Sequence, residues 1–255
     1  MNLKLETSST SKYKSKSQIA RVMTETWLAN NMYCPRCGHS YISLFKNNMP
    51  VADFYCPDCL AEFELKSKDG TIENKILDGA YETMIQRILS DNNPDFFFLN
   101  YSYSELLIKD FVIIPKHFFV PAIIEKRNPL SATARRAGWV GCNILLNKIP
   151  QQGRISVVSN GIYQEPRLVL EKMNNSERFK VKNIESRGWL FDVLHCVNQI
   201  IAKEFSLAEV YKYEDFLSRK HPNNHNIKAK IRQQLQFLRD RGVIEFLGNG
   251  KYRKL

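Results

Sequence analysis

The chain has 255 residues, 44% of them hydrophobic and 25% charged, with 37 lysines and arginines against 26 aspartates and glutamates for a net charge of +11. That composition excludes a disordered or membrane-embedded chain, leaves room for one large domain or two unequal ones, and points to a polyanionic partner, nucleic acid first. No apolar run reaches transmembrane length and the N-terminal segment lacks the apolar core of a signal peptide, so the expectation is a cytoplasmic protein with no membrane contact.

In chain order, Ile19, Val22, Met23, Thr26 and Trp27 recur at helical spacing and predict a helix over about Lys14 to Asn30, with that stripe on the core. It delivers the chain to Cys34-Pro35-Arg36-Cys37-Gly38, and after 18 intervening residues stands a second knuckle, Cys56-Pro57-Asp58-Cys59. Two such pairs at this spacing are the pattern of a zinc ribbon, in which four thiolates close a tetrahedron and leave no position for substrate. A structural zinc on Cys34, Cys37, Cys56 and Cys59 is therefore expected. In a reducing compartment Cys142 and Cys196, each among apolar neighbours, read as inert core thiols.

The second knuckle lies inside the stretch PVADFYCPDCLAEFELKSK, whose two ends alternate as half-buried strands do. Residues two apart on a strand share a face, so Glu64 and Lys66 project together while Leu65 points to the core, and Asp53 joins them from the neighbouring strand. Two carboxylates at a sheet edge can hold a hard divalent cation, and the lysine beside them can orient a water, which is hydrolytic phosphodiester chemistry. The competing reading makes the three surface charges of a ribbon sheet.

Tyr81, Met84, Ile85, Ile88 and Leu89 predict a second amphipathic helix, stopped by Asp91-Asn92-Asn93-Pro94. The apolar runs Phe96 to Leu99 and Phe111 to Ile114 suit central strands of a sheet lying between helices, and Gly153 to Val158 reads as a further strand. Arg135, Arg136 and Trp139 form a group that suits DNA, arginines for phosphate or guanine edges and a tryptophan for stacking, although a half-buried core Trp beside solvated arginines fits as well. The polar stretch from Glu171 to Arg187 reads as an interdomain linker.

From Arg187 to Leu255 there are 13 Lys or Arg against 7 Asp or Glu, and the order of elements is that of a winged helix. Trp189 to Ile201 is its first helix, Ser206 can cap a second at Leu207, and a third runs from about Asn226 to Arg241, where Gly242 ends it. Val243 to Leu247, the Gly248-Asn249-Gly250 turn and Lys251 to Arg253 form the wing. His225, Asn226, Lys228 and Arg232 on the third helix, with Lys251 and Arg253 on the wing, are the candidate DNA contacts; a solvated helix face or a protein-docking module is the alternative.

Asp53 with Glu64-Leu65-Lys66 resembles the motif of the PD-(D/E)XK nucleases. The segments PVADFYCPDC, EFELKSK, LDGAYETM, DNNPDFFFL, ATARRAGWVGCNI, KIRQQLQFLRDRGVIEF and GKYRKL extend the likeness over nearly the whole chain, to the methyl-directed restriction endonucleases of that family. The resemblance implies an α/β PD-(D/E)XK nuclease core, a mixed sheet flanked by helices with a zinc-ribbon insertion, over residues 1–182, and a winged-helix DNA-binding domain over 183–255. It implies Mg2+ held by Asp53, Glu64 and the Leu65 carbonyl, with Lys66 positioning the attacking water. The implied partner is double-stranded DNA carrying methylated adenine in GATC, cut by a monomer that requires no protein partner. A noncatalytic transcription regulator built from a zinc ribbon and a winged helix is the alternative class.

Overall fold

The computed structural model describes residues 1–45, 52–90 and 93–255, and the chain divides into two compact units, Met1–Glu177 and Arg178–Leu255. Pro50 and Val51 of the first strand segment, and Asp91 and Asn92 of the helix stop signal, lie outside the described residues. Among the described residues no helix is long and apolar enough to cross a membrane.

The first unit opens with helix α1 (Lys16–Asn31), which buries Met23, Thr24, Trp27 and Leu28. The chain then forms two short strands, β1 (Ser43–Leu44) and β2 (Phe54–Tyr55), followed by the long β3 (Glu62–Asp69). Next come β4 (Lys75–Ala80), helix α2 (Tyr81–Leu89), β5 (Asp95–Ser102) and β6 (Leu107–Ile114). Strands β7 (Ile124–Lys126), β8 (Gly141–Leu145), β9 (Ile155–Ser159) and β10 (Ile162–Tyr163) precede helix α3 (Pro166–Ser176). Seven strands make one mixed sheet in the order β1-β2-β3-β5-β6-β9-β10, parallel at β3/β5 and antiparallel at the other pairings, and β4-β8-β7 make a second, small sheet.

The core follows from the phenylalanine run. Every residue of β5 from Asp95 to Tyr101 is buried, because the strand is covered on both faces and paired on both edges. Phe97 stacks on Phe63 of β3 at 4.7 Å and meets Phe111 of β6 edge-on at 5.2 Å, and Trp27 of α1 meets Phe111 at 6.1 Å. These residues share one cluster with Val169 and Met173 of α3, so α1 and α3 bury their stripes in the same core. Phe96 points the other way and stacks on Phe119 at 4.2 Å, in a segment of short 3-10 turns.

Two expectations are corrected here. Glu171 to Arg187 is not a linker: it holds the second half of α3, a 3-10 turn at Glu177–Phe179 and the start of the next helix. Its polar composition is the solvated face of elements whose inner faces bury Met173, Ser176 and Phe179. Likewise Gly153 belongs to a 3-10 turn before β9, where the Phe118 ring sits so close that a Cβ would lie 2.6 Å from it.

The second unit contains α4 (Ile184–Gln199), β11 (Glu204–Ser206), α5 (Leu207–Tyr211), α6 (Glu214–Lys220), α7 (Ile227–Asp240), β12 (Ile244–Gly248) and β13 (Lys251–Lys254). This is a winged helix, in which β11 pairs with β13 and β13 with β12 to complete a three-stranded sheet. Ser206 accepts from the Glu209 N–H while the Glu209 carboxylate accepts from the Ser206 N–H at 2.7 Å, a reciprocal capping box that starts α5. Ile227, Ile231, Leu235 and Leu238 line the buried face of α7, and Gly242 leaves the helix with φ +65°. Strand β11 and helix α6 carry too short a pattern to be read from the sequence.

Phe97→Ala empties the centre of the first unit and is expected to destabilise it by about 3–5 kcal/mol, read from guanidinium denaturation. A loss below about 1 kcal/mol would place the core elsewhere.

Candidate active site

Strand β2 pairs with β3 through Phe54↔Phe63 and Tyr55↔Glu62, and that is where its ladder stops. Asp53, just outside β2, falls opposite Glu64 in the same register, and its own N–H still reaches the Phe63 carbonyl at 3.0 Å. The next N–H along that edge, Leu65, donates instead to the Asp53 carboxylate at 2.7 Å. A side chain thus takes over where a strand would continue, which fixes Asp53 against β3 and, among the described residues, leaves the edge beyond it open. On the other edge β3 stays paired with β5 as far as Asp69↔Tyr101, so the platform is rigid.

Glu64 and Lys66 share one face of β3, and their side chains meet at 2.6 Å. The other Glu64 oxygen accepts from Arg87 of α2 at 2.8 Å, and the Lys66 ammonium also donates to Asp78 of β4. Burial pulls the Lys66 pKa down, but the attraction of Glu64 and Asp78 and the hydrogen bonds to both outweigh it and hold the pKa above the ordinary lysine value. Lys66 is therefore an ammonium throughout the neutral range. Across the cleft, Glu25 of α1 is paired with Arg21 at 2.7 Å; burial raises its carboxyl pKa, Arg21 opposes that, and Asp53 adds to it. Asp53, Glu64, Leu65, Lys66 and Glu25 line one open cleft of about 610 Å3. Arg87, Asp78 and Glu25 were not legible as site residues in the sequence, because each lies on an element other than the strand that carries Glu64 and Lys66.

The cysteines are free, and those of the two knuckles converge, with all four sulfurs within 4.8 Å of one another. Cys34 and Cys59 are 3.6 Å apart, as are Cys37 and Cys56, close to the edge of about 3.8 Å in a tetrahedron with Zn–S bonds of about 2.3 Å. The cluster could bind zinc. The knuckles close alike: Gly38 donates to the Cys34 carbonyl at 2.9 Å and Leu60 to the Cys56 carbonyl at 3.1 Å. Both closing residues are left-handed, at φ +81° and +60°, a conformation that suits Gly38 and is imposed on the exposed Leu60. Arg36, inside the first knuckle, forks onto Asp95 at the head of β5 with two bonds of 2.7 Å, and Asp95 is 2% exposed. The ribbon is thereby tied to the central strand. His39 stands outside the four-sulfur group and packs on Tyr41 at 4.7 Å.

The DNA-contact candidates fall into three groups. Arg135, Arg136 and Trp139 lie in the long β7–β8 connection, with both arginines exposed and Arg136 stacked over the half-buried Trp139 ring at 4.4 Å. A Cβ at Gly141 would lie 2.8 Å from that ring, so the glycine makes the seat for Trp139. On the winged helix, His225 and Asn226 are exposed at the start of α7, Lys228 pairs with Glu214 at 3.3 Å, and Arg232 donates to the Tyr211 hydroxyl at 2.7 Å. Arg253 sits on the central wing strand between Glu204 and Glu245, its partners in register on either side, at 2.8 and 3.1 Å. That exposed cross-strand triad engages Arg253 within the wing sheet, and Lys251, exposed at the turn, is the less committed of the two wing cations.

A family model described as DpnI, Dam-replacing family, matches residues 1–182, and a second, DpnI_C, Dam-replacing HTH domain, matches residues 185–254. The chain belongs to the DpnI (Dam-replacing) family. Membership in the DpnI family, with its helix-turn-helix domain, fits a methyl-directed restriction endonuclease with a DNA partner.

Elemental analysis of the purified chain is expected to find one zinc per molecule. Cys56→Ser should lose the metal and melt at lower temperature, since a zinc thiolate site contributes directly to folding. A full zinc content in that variant would refute the four-cysteine site.

Proposed function

We propose that this DpnI-type protein is a type II, Mg2+-dependent endonuclease that cuts double-stranded DNA at GATC sites containing methylated adenine. The observation that carries the proposal is the Asp53 carboxylate bonded to the Leu65 N–H opposite Glu64, beside a lysine kept charged, in an open cleft.

The donors suit a hard cation. Asp53 and Glu64 offer carboxylate oxygens with several lone pairs each, so the bonds to Leu65 and Lys66 leave acceptor positions for a metal. A strand residue turns its N–H and C=O to the same edge, so the Leu65 carbonyl faces the side where its N–H meets Asp53. These are three oxygen donors on one side, with the open cleft left for water and a phosphate oxygen. When bound, Mg2+ supplies Lewis-acid polarisation of the phosphate and neutralisation of charge on the leaving 3' oxygen.

The remaining work belongs to the chain. Lys66, a fixed cation, orients the attacking water and faces the charge that develops on the phosphate oxygens. Attack in line at phosphorus then leaves 5' phosphate and 3' hydroxyl ends. On the DNA side, the start of α7, with His225, Asn226, Lys228 and Arg232, would enter the major groove while Lys251 meets phosphate. In the first unit, Arg135, Arg136 and Trp139 would engage the duplex through the β7–β8 connection, where an aromatic ring suits a methyl group that offers no strong hydrogen bond. The proposal takes the domains as 1–182 for cutting and 183–255 for winged-helix binding, and the protein as a cytoplasmic monomer.

Plasmid carrying GATC, prepared from adenine-methylating and nonmethylating hosts and treated with Mg2+, should be cut only when methylated. Cutting of neither would sink the nuclease reading in favour of a regulator, and equal cutting of both would sink the methyl dependence. Lys66→Ala should bind methylated duplex like the parent chain yet cleave it at least about 100-fold more slowly. Wild-type cleavage by that variant would overturn the role given to Lys66.

A further inference from the structure

We propose that Asp78 of β4 is the positioning residue for Lys66, the carboxylate that keeps the lysine ammonium aimed at the cleft during catalysis. This rests on the nuclease reading above.

The Lys66 ammonium lies between two carboxylates of different origin. Glu64 is two residues away on the same strand, whereas Asp78 belongs to the small β4-β8-β7 sheet. Glu64 is heavily committed: one oxygen meets Lys66, the other meets Arg87, and the proposed reaction also asks it to hold a cation. A carboxylate shared in this way has a weaker hold on any one partner. Asp78 has no such second duty. Its Oδ1 accepts from the Gly79 N–H at 2.7 Å, and its side chain is 7% exposed, so the group that faces Lys66 is itself held still.

The backbone is built to aim it. Strand β4 pairs regularly with β8 through Asp78↔Cys142, and the register then shifts, so that Ala80 rather than Gly79 opposes Gly141. Such a bulge bends a strand and re-aims a side chain out of the regular ladder. The carboxylate it carries is buried, which is costly without a charged partner, and the ammonium it meets is the one proposed to act. Lysine has a flexible four-carbon stem, so a second fixed anion confines its ammonium in a way that one neighbour on the same strand cannot. A displacement of about 1 Å in a catalytic group can cost about 100-fold in rate.

Asp78→Asn keeps the shape and an acceptor for the Gly79 N–H but removes the charge. It is expected to lower kcat on methylated GATC duplex about 10- to 100-fold, with KM, duplex binding and melting temperature near those of the parent chain. Asp78→Glu, which keeps the charge with a longer stem, should recover part of the loss, and Asp78→Ser should show the same drop if the Asn variant does not fold. In a Lys66→Ala background, Asp78→Asn should cause no further loss, because the two act as one unit. A parental kcat in Asp78→Asn, or a full additional loss in the double variant, would overturn the proposal. Failure of the parent chain to cut methylated GATC defeats the nuclease reading itself, whereas an active parent chain and an inactive Lys66→Ala with a fully active Asp78→Asn defeat only the role of Asp78.

Discussion

The bond from the Leu65 N–H to the Asp53 carboxylate is the interaction on which the rest of the candidate site depends. A backbone donor at a sheet edge must be satisfied, by a strand, by water or by a side chain. Here the strand runs out after Tyr55 pairs with Glu62 and Phe54 with Phe63, and a side chain finishes the ladder. The same event opens an edge in the middle of a large sheet, places Asp53 opposite Glu64 and leaves β3 rigid through its other edge.

The loop that carries Asp53 into this position also carries the second cysteine knuckle, which connects the thiolate cluster to the site mechanically. Ten residues separate Asp53 from Glu64, and Cys56 and Cys59 lie within them. The first knuckle is anchored by Arg36 to buried Asp95, and Asp95 begins the strand that pairs with β3. Truncating Arg36 would leave the buried Asp95 carboxylate without its charged partner, so the anchor resists loss. A metal on the four sulfurs would therefore act at a distance, by holding the turn between two strands whose ends carry the carboxylates. It would take no part in bond breaking, because a closed tetrahedron has no free position.

Electrostatics at the cleft is arranged in alternating signs: Arg87, Glu64, Lys66 and Asp78 form a continuous chain of opposite charges. Each member is partly or largely removed from water, and a charge in that position is costly without an opposite charge beside it. The chain is drawn from α2, β3 and β4, three elements that meet only in the folded protein. On the second unit the same logic yields a different result, since Arg253 is absorbed by Glu204 and Glu245 into the wing sheet.

How much of this was legible in the sequence depends on the range of the interaction. The knuckle spacing, the shared face of Glu64 and Lys66, the stripes of α1, α2 and α7 and the apolar runs of β5 and β6 are set within a few residues, by backbone periodicity and by the reach of a thiolate pair. Those features were readable without coordinates, and the whole-chain likeness pointed to the family that the chain belongs to. The helix that runs into the supposed linker was missed because Val169 and Met173 are a thin apolar stripe among polar residues, and only contact with the core shows which face is inward. Asp78, Arg87 and Glu25 were out of reach for a sharper reason. Their importance lies in meeting Glu64, Lys66 or Asp53 across strands and helices, and the pairing of one element with another is decided by which packing satisfies the buried charges and edge hydrogen bonds of all of them together.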